Sequence, residues 1–168
     1  PRLTEKGSVR SNSAIGTWDQ YYPRHYDGKE HSGYYTQDEI RAIVRYAADR
    51  QITIVPEIEM PGHALAALSV YPEYACSFHS SLDLMAGAGI SDQVYCPKPQ
   101  TFRFIKDILT EIASLFPGEY IHIGGDECPK TSWKQCEDCQ ALIRKENLKD
   151  EFELHAYFIQ QVEKIAEG

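Results

Sequence analysis

No stretch of this chain approaches the ~18 consecutive apolar residues that a membrane-spanning helix requires. Positive charge is also scarce: 17 Lys and Arg stand against 25 Asp and Glu, a net charge of −8. A surface of that sign does not attract nucleic acid or an anionic membrane, so neither is expected as a partner. The first ten residues, PRLTEKGSVR, lack the apolar centre of a signal peptide. They begin at Pro1 rather than Met, which suggests a piece of a longer protein. Cysteine is limited to Cys76, Cys96, Cys128, Cys136 and Cys139. An odd count leaves at least one thiol unpaired within the chain, and 168 residues can bury a core without a disulfide framework. Apolar types at 42% and charged types at 25% are ordinary for a globular domain, which excludes disordered, collagen-like and coiled-coil classes.

Helical and extended patterns alternate along the chain. Thr36 with Glu39 forms a capping box, and Ile40, Ile43, Val44, Ala47 and Ala48 fall on one face, predicting a helix over 36–51. Residues 52–58, ITIVPEI, are β-branched and read as a buried strand ending at the turn Met60-Pro61-Gly62-His63. The pattern then repeats. Phe102, Ile105, Leu109, Ile112 and Phe116 predict a helix over 100–116, stopped by Pro117-Gly118. A strand at 120–123 and the loop Gly124-Gly125-Asp126-Glu127 follow, then helices at 132–146 and 151–167. The stretches 11–33 and 76–99 read as long loops. Helix, strand and loop occurring twice predict parallel strands in an α/β layer. Two strands do not close a barrel, since a (β/α)8 domain needs about 250 residues.

Both predicted strands end in titratable groups, where parallel α/β folds place their ligands. The first supplies Glu57, Glu59 and His63, the second His122, Asp126 and Glu127. One carboxylate after a strand is usually a helix cap or a solvated side chain. An adjacent pair beside two glycines is more informative, because glycine lets a ligand approach the main chain. Close carboxylates favour acid/base work. Sequence neighbours nevertheless sit on one side of a substrate, whereas an ordinary glycosidase pair flanks the scissile bond about 5 Å or more apart. One of the two would then donate a proton while the other holds a separate nucleophile.

His122-Ile123-Gly124-Gly125-Asp126-Glu127 matches the H-x-G-G-D-E signature of the β-N-acetylhexosaminidases, glycoside hydrolase family twenty. The 55–63 stretch, VPEIEMPGH, resembles that family's V-P-E-I-D-M-P-G-H strand, and the resemblance runs over the whole chain. It implies part of a (β/α)8 barrel, about strands three and four with their helices, forming one partial catalytic domain. It also implies retaining hydrolysis of terminal N-acetylhexosamine residues from oligosaccharides or glycans, with the substrate's 2-acetamido oxygen as nucleophile. Glu127 would be the general acid and then the base, and Asp126 would steady the acetamido group. His63, Glu59 and His122 would be substrate-binding or orienting residues. The family usually carries Asp at the position of Glu59. Its sugar-gripping Arg, its strand-two Asp and its pocket-walling Trp and Tyr residues have no counterparts here.

No cofactor or metal is expected on this reading. Family members are typically exported or lysosomal, where disulfides persist, and Cys76–Cys96 or Cys76–Cys128 are then open pairings. A rival reading takes Cys128, Cys136 and Cys139 with His63 or His122 as zinc ligands of a metal-dependent hydrolase. A third is a carbohydrate-binding piece without turnover. Trp133 is read as a helix-packing residue, and Tyr21-Tyr22 as a loop pair able to stack on sugars. Apolar helix faces and open strand edges predict self-association of the 168-residue chain.

Overall fold

A computed structural model describes residues 1–17, 25–76 and 89–168. Tyr21 and Tyr22 lie outside the described residues, as does most of the interior of the 76–99 stretch. The chain opens with a one-turn helix, α1 (Arg2–Glu5), and two small antiparallel ladders. In these, β1 (Val9–Arg10) pairs with β4 (His31–Ser32), and β2 (Ala14–Ile15) with β3 (His25–Tyr26). Part of the expected 11–33 loop is therefore hairpin-like.

Helix α2 (Gln37–Ala48) starts as its sequence requires. The Thr36 hydroxyl accepts from the Glu39 N–H at 3.2 Å, and the Glu39 carboxylate accepts from the Thr36 N–H at 2.7 Å. Two helices not read from the sequence follow: α3 (Leu65–Val70) and a 3-10 turn at Pro72–Tyr74. Next come α4 (Pro99–Leu115), α5 (Thr131–Gln135), α6 (Glu137–Lys145) and α7 (Glu151–Ala166). The helix expected over 132–146 is broken at Cys136, whose extended backbone ends α5 and caps α6. At the α6 C-terminus, Asn147 takes a left-handed φ of 54° and the Leu148 N–H returns to the Ile143 carbonyl at 2.9 Å.

The two predicted strands run parallel, but their pairing is a single bridge, Glu57↔His122. The Ile58 N–H donates to the His122 carbonyl and the His122 N–H to the Pro56 carbonyl, both at 2.9 Å. The expectation that 52–58 is buried is corrected here: Ile52 is 57% exposed and Val55 48%. Parallel strands are buried when sheet neighbours and helices cover both faces. Among the described residues these segments have no further strand beside them, and the α4–α7 cluster covers one side only. Beyond the second segment lies an open groove of about 770 Å³, lined by Tyr120, Ile121, Ile123, Ile159 and Ala166 among others. Among the described residues the layer is thus part of a (β/α)8 barrel and not a closed one.

Packing divides between two clusters. In the first, Ile105 and Leu109 of α4 meet Phe158 and Val162 of α7, with Met60, Leu68 and Tyr95 completing the group. In the second, fully buried Trp133 lies with Val94, Ile143, Leu154 and four cysteines, and its indole N–H donates to the Tyr95 carbonyl at 2.9 Å. That placement agrees with its reading as a packing residue. Truncating fully buried Phe158 or Trp133 to alanine would leave a cavity worth roughly 3–5 kcal/mol.

Two tests follow from these contacts. The Asp150 carboxylate accepts from the Phe152 and Glu153 N–H groups at 2.9 and 3.1 Å, capping α7. Asp150→Ala should lower stability by about 1 kcal/mol in urea unfolding, and an unchanged midpoint would remove the cap from the account. We also propose that the open edge and half-covered helix faces make the isolated chain self-associate. Sedimentation velocity should show mass rising with concentration; a monomer throughout would refute this.

Candidate active site

Two loops form the site, and a backbone contact holds them together. After the Glu57–His122 bridge the first segment turns through a cis Met60–Pro61 peptide to Gly62. A Cβ on Gly62 would stand 3.2 Å from both the Asp126 carbonyl oxygen and the Cys128 Cα. Only glycine admits that approach without displacing main chain. His63 follows with a left-handed φ of 49°. The partner loop carries φ values of 69° at Gly124, 111° at Gly125 and 44° at Glu127. Left-handed backbone at two non-glycine residues costs on the order of 1 kcal/mol or more each, and both residues belong to this site.

The convergence is direct. The His63 Nε2 lies 3.4 Å from a Glu127 carboxylate oxygen and 3.9 Å from one of Asp126. Asp126 and Glu127 are more than half exposed, and His63 about a third. One nitrogen of the imidazole therefore approaches both carboxylates, which are themselves largely exposed. These three groups fall within 4.8 Å of one another. Glu59 supports the second loop from behind, with its carboxylate accepting the Gly125 N–H at 2.9 Å. A Cβ on Gly124 would overlap that carboxylate, so Gly124 is required by space as well as by φ.

Burial is the main influence on Glu59 and raises its carboxyl above the usual range. The Gly125 N–H opposes this, the Asp126 charge adds to it and His63 opposes it. His122 is placed differently. Its Nδ1 accepts the Gly124 N–H at 3.1 Å and lies 3.3 Å from a Glu57 oxygen. One ring nitrogen cannot accept from Gly124 and donate to Glu57 together. The histidine therefore holds the glycine turn and stands apart from the His63 group.

Lys130 was not singled out in the sequence, yet it ties down the chain after Glu127. Its ammonium donates to the Cys128 carbonyl at 2.7 Å and lies 3.0 Å from the His155 Nδ1. Burial, with Lys130 alongside, lowers the His155 pKa. No periodic pattern marks a lysine of this kind. The Cys128, Cys136, Cys139 and histidine zinc set is not assembled among the described residues. Cys128 lies 3.8 Å from the Pro129 carbonyl, apart from the other four cysteines, which form their own group. Its thiol is raised to about 11, chiefly by burial.

A parallel α/β layer with carboxylates and a histidine at its strand ends has the form of a barrel hydrolase. The chain belongs to glycosyl hydrolase family 20: the model of that family's catalytic domain matches residues 1–168. It is 51% identical over 166 residues to the β-hexosaminidase of Porphyromonas gingivalis, covering 98% of this chain and 20% of that protein. A solved β-N-acetylhexosaminidase superposes with a TM-score of 0.88 at 33% identity, covering 99% of this chain and 34% of the other. The β-N-acetylhexosaminidase of Bacteroides fragilis gives 0.71 at 35% identity, covering 99% and 30%. The chain therefore spans between a fifth and about a third of the length of these relatives.

Glu59 offers a test of the electrostatics. A carboxyl whose pKa is raised on folding holds its proton more tightly in the native state than in the unfolded chain. Its stabilising contribution is present below the ordinary value of 4.5 and is lost as pH rises through the raised native value. Glu59→Gln retains an acceptor for Gly125 but does not titrate. The fall in Tm of the wild type above about pH 4.5 should be shallower in the variant. Parallel profiles would contradict the assignment.

Proposed function

We propose that this chain carries the acid/base centre of a retaining β-N-acetylhexosaminidase. The reaction is hydrolysis of terminal non-reducing N-acetylhexosamine residues from oligosaccharides or glycans. The observation that carries this reading is the convergence of His63 on the adjacent carboxylates of Asp126 and Glu127. Adjacent carboxylates on one loop do not suit a two-sided pair but suit a mechanism in which the substrate supplies its own nucleophile.

Glu127 protonates the glycosidic oxygen as the bond to the leaving group lengthens. The 2-acetamido oxygen attacks the anomeric carbon from the opposite face and closes a cyclic oxazolinium. Asp126 accepts the acetamido N–H and offsets the developing positive charge. Glu127, now ionised, takes a proton from water as it opens the ring, and configuration is retained. His63 contacts both carboxylates and orients them, Glu59 fixes Gly125, and His122 fixes Gly124. In support, β-N-acetylhexosaminidase names recur among the relatives, and one Vibrio harveyi neighbour was solved with N-acetylglucosamine, at 35% identity and a TM-score of 0.72. The other strand ends of such an enzyme would supply the groups that grip the sugar.

The test uses the enzyme with its full barrel. Glu127→Gln should cost about 10²–10⁴-fold in kcat on a natural disaccharide and much less on an activated aryl glycoside, which needs little protonation. Equal losses would refute the acid role. Asp126→Asn should lower kcat and also weaken binding of a thiazoline mimic of the cyclic intermediate. Unchanged thiazoline affinity would refute substrate assistance. The isolated 168-residue chain should be inactive, because productive positioning to about 0.5 Å requires the remaining strand ends.

A further inference from the structure

Four of the five cysteines, Cys76, Cys96, Cys136 and Cys139, bring their sulfurs within 4.8 Å of one another. They come from three separate segments: the end of the 3-10 turn, the strand-like stretch before α4, and the α5–α6 junction. All are buried, at 3% exposure or less, among Val94, Trp133, Ile143 and Leu154. The Cys96–Cys139, Cys76–Cys139 and Cys96–Cys136 sulfur distances are 3.5, 3.7 and 3.9 Å. A disulfide places its sulfurs about 2.05 Å apart, so none of these pairs is bonded. A tetrahedral Zn²⁺ with Zn–S near 2.3 Å separates its sulfurs by about 3.8 Å. The three distances bracket that value.

We propose that these four cysteines form a structural zinc site, separate from the hydrolytic chemistry. Four thiols facing one another make poor use of a buried core position, since each is only a weak hydrogen-bond donor and acceptor. As thiolates they form a soft, closed tetrahedral set that selects zinc and leaves no open coordination position for catalysis. Cys136 caps α6 and Cys139 lies in its first turn, so the C-x-x-C spacing turns both sulfurs to one point. The tetrathiolate complex carries two negative charges. Lys98 places an ammonium alongside, bonded to the Ala75 carbonyl and to Asp138, each at 3.4 Å.

The site joins the two catalytic loops from below. Tyr95, next to Cys96, donates its N–H to the Pro61 carbonyl at 3.0 Å, just before Gly62 and His63. Its carbonyl receives the Trp133 indole N–H, three residues before Cys136 on the chain that follows Glu127. Zinc would fix both loops to one point. Cys128 has no place in the set, which accounts for the odd cysteine count.

The full 168-residue chain, purified without chelator or a metal-affinity tag, should contain about one zinc per chain by elemental analysis. Replacement by Co²⁺ should give thiolate charge-transfer bands and the intense d–d bands of tetrahedral cobalt. Cys139→Ser should lose roughly tenfold or more of the bound zinc, whereas Cys128→Ser should keep it. Because Cys139→Ser risks misfolding, the cobalt spectrum of the wild type and the zinc content of Cys128→Ser are read independently. Intact mass and thiol titration of the denatured protein should give five reduced thiols. Two disulfides, bound iron in place of zinc, or five free thiols without metal would each overturn the proposal.

Discussion

The arrangement of this chain depends on one short stretch of parallel backbone pairing, the Glu57–His122 bridge with its two hydrogen bonds of 2.9 Å. Two such bonds contribute only about 1–3 kcal/mol net, too little to order both segments. Their register is set instead by what packs around them. Met60, at the end of the first segment, is buried against the α4–α7 group, and Ile121 and Ile123 of the second pack on the same cluster. The bridge thus transmits to the loops a position decided by apolar packing. Beyond the bridge, the backbone contact at Gly62 carries that position forward to His63, Asp126 and Glu127.

Rigidity is needed here because the site stores unfavourable terms. His63 and Glu127 have left-handed backbone, and three carboxylates, Glu59, Asp126 and Glu127, share a small volume with one imidazole. Each feature is unfavourable alone and persists only when the surroundings over-determine it. The surroundings do so from three sides. Glu59 and His122 hold the glycine turn, Lys130 holds the chain beyond Glu127, and the Trp133 cluster anchors the helices that follow.

Helices α2, α4 and α7 were legible in the sequence because their apolar stripes, and the capping box of α2, are local. The strand over 52–58 was legible in direction but not in burial, since burial depends on neighbours that the sequence pattern presumes and this chain does not supply. The helix expected over 132–146 is interrupted at Cys136, whose sulfur lies in the buried group of four, an arrangement of residues distant in sequence that no local pattern shows. The residues that converge, His63, Asp126 and Glu127, were legible as candidates through the glycine-acid motif and the strand ends. The roles of Lys130 and Gly62 were not, because each acts through a contact between segments distant in sequence.

Glu59 shows how a departure from the family pattern can be absorbed locally. A side chain one methylene longer than Asp must place its carboxylate somewhere in a crowded layer. Here the carboxylate lies over the Cα of Gly124 and reaches the Gly125 N–H at 2.9 Å. The first contact is sterically allowed only because Gly124 lacks a Cβ, and the second satisfies a donor in a turn with φ of 111°. The extra length also brings the carboxylate against Asp126, whose charge helps to raise the Glu59 carboxyl. Burial and that charge act in the same direction on Glu59, each favouring its neutral form. The consequence is a division of labour among three neighbouring carboxyls: one shielded against the glycine turn, two exposed beside the imidazole.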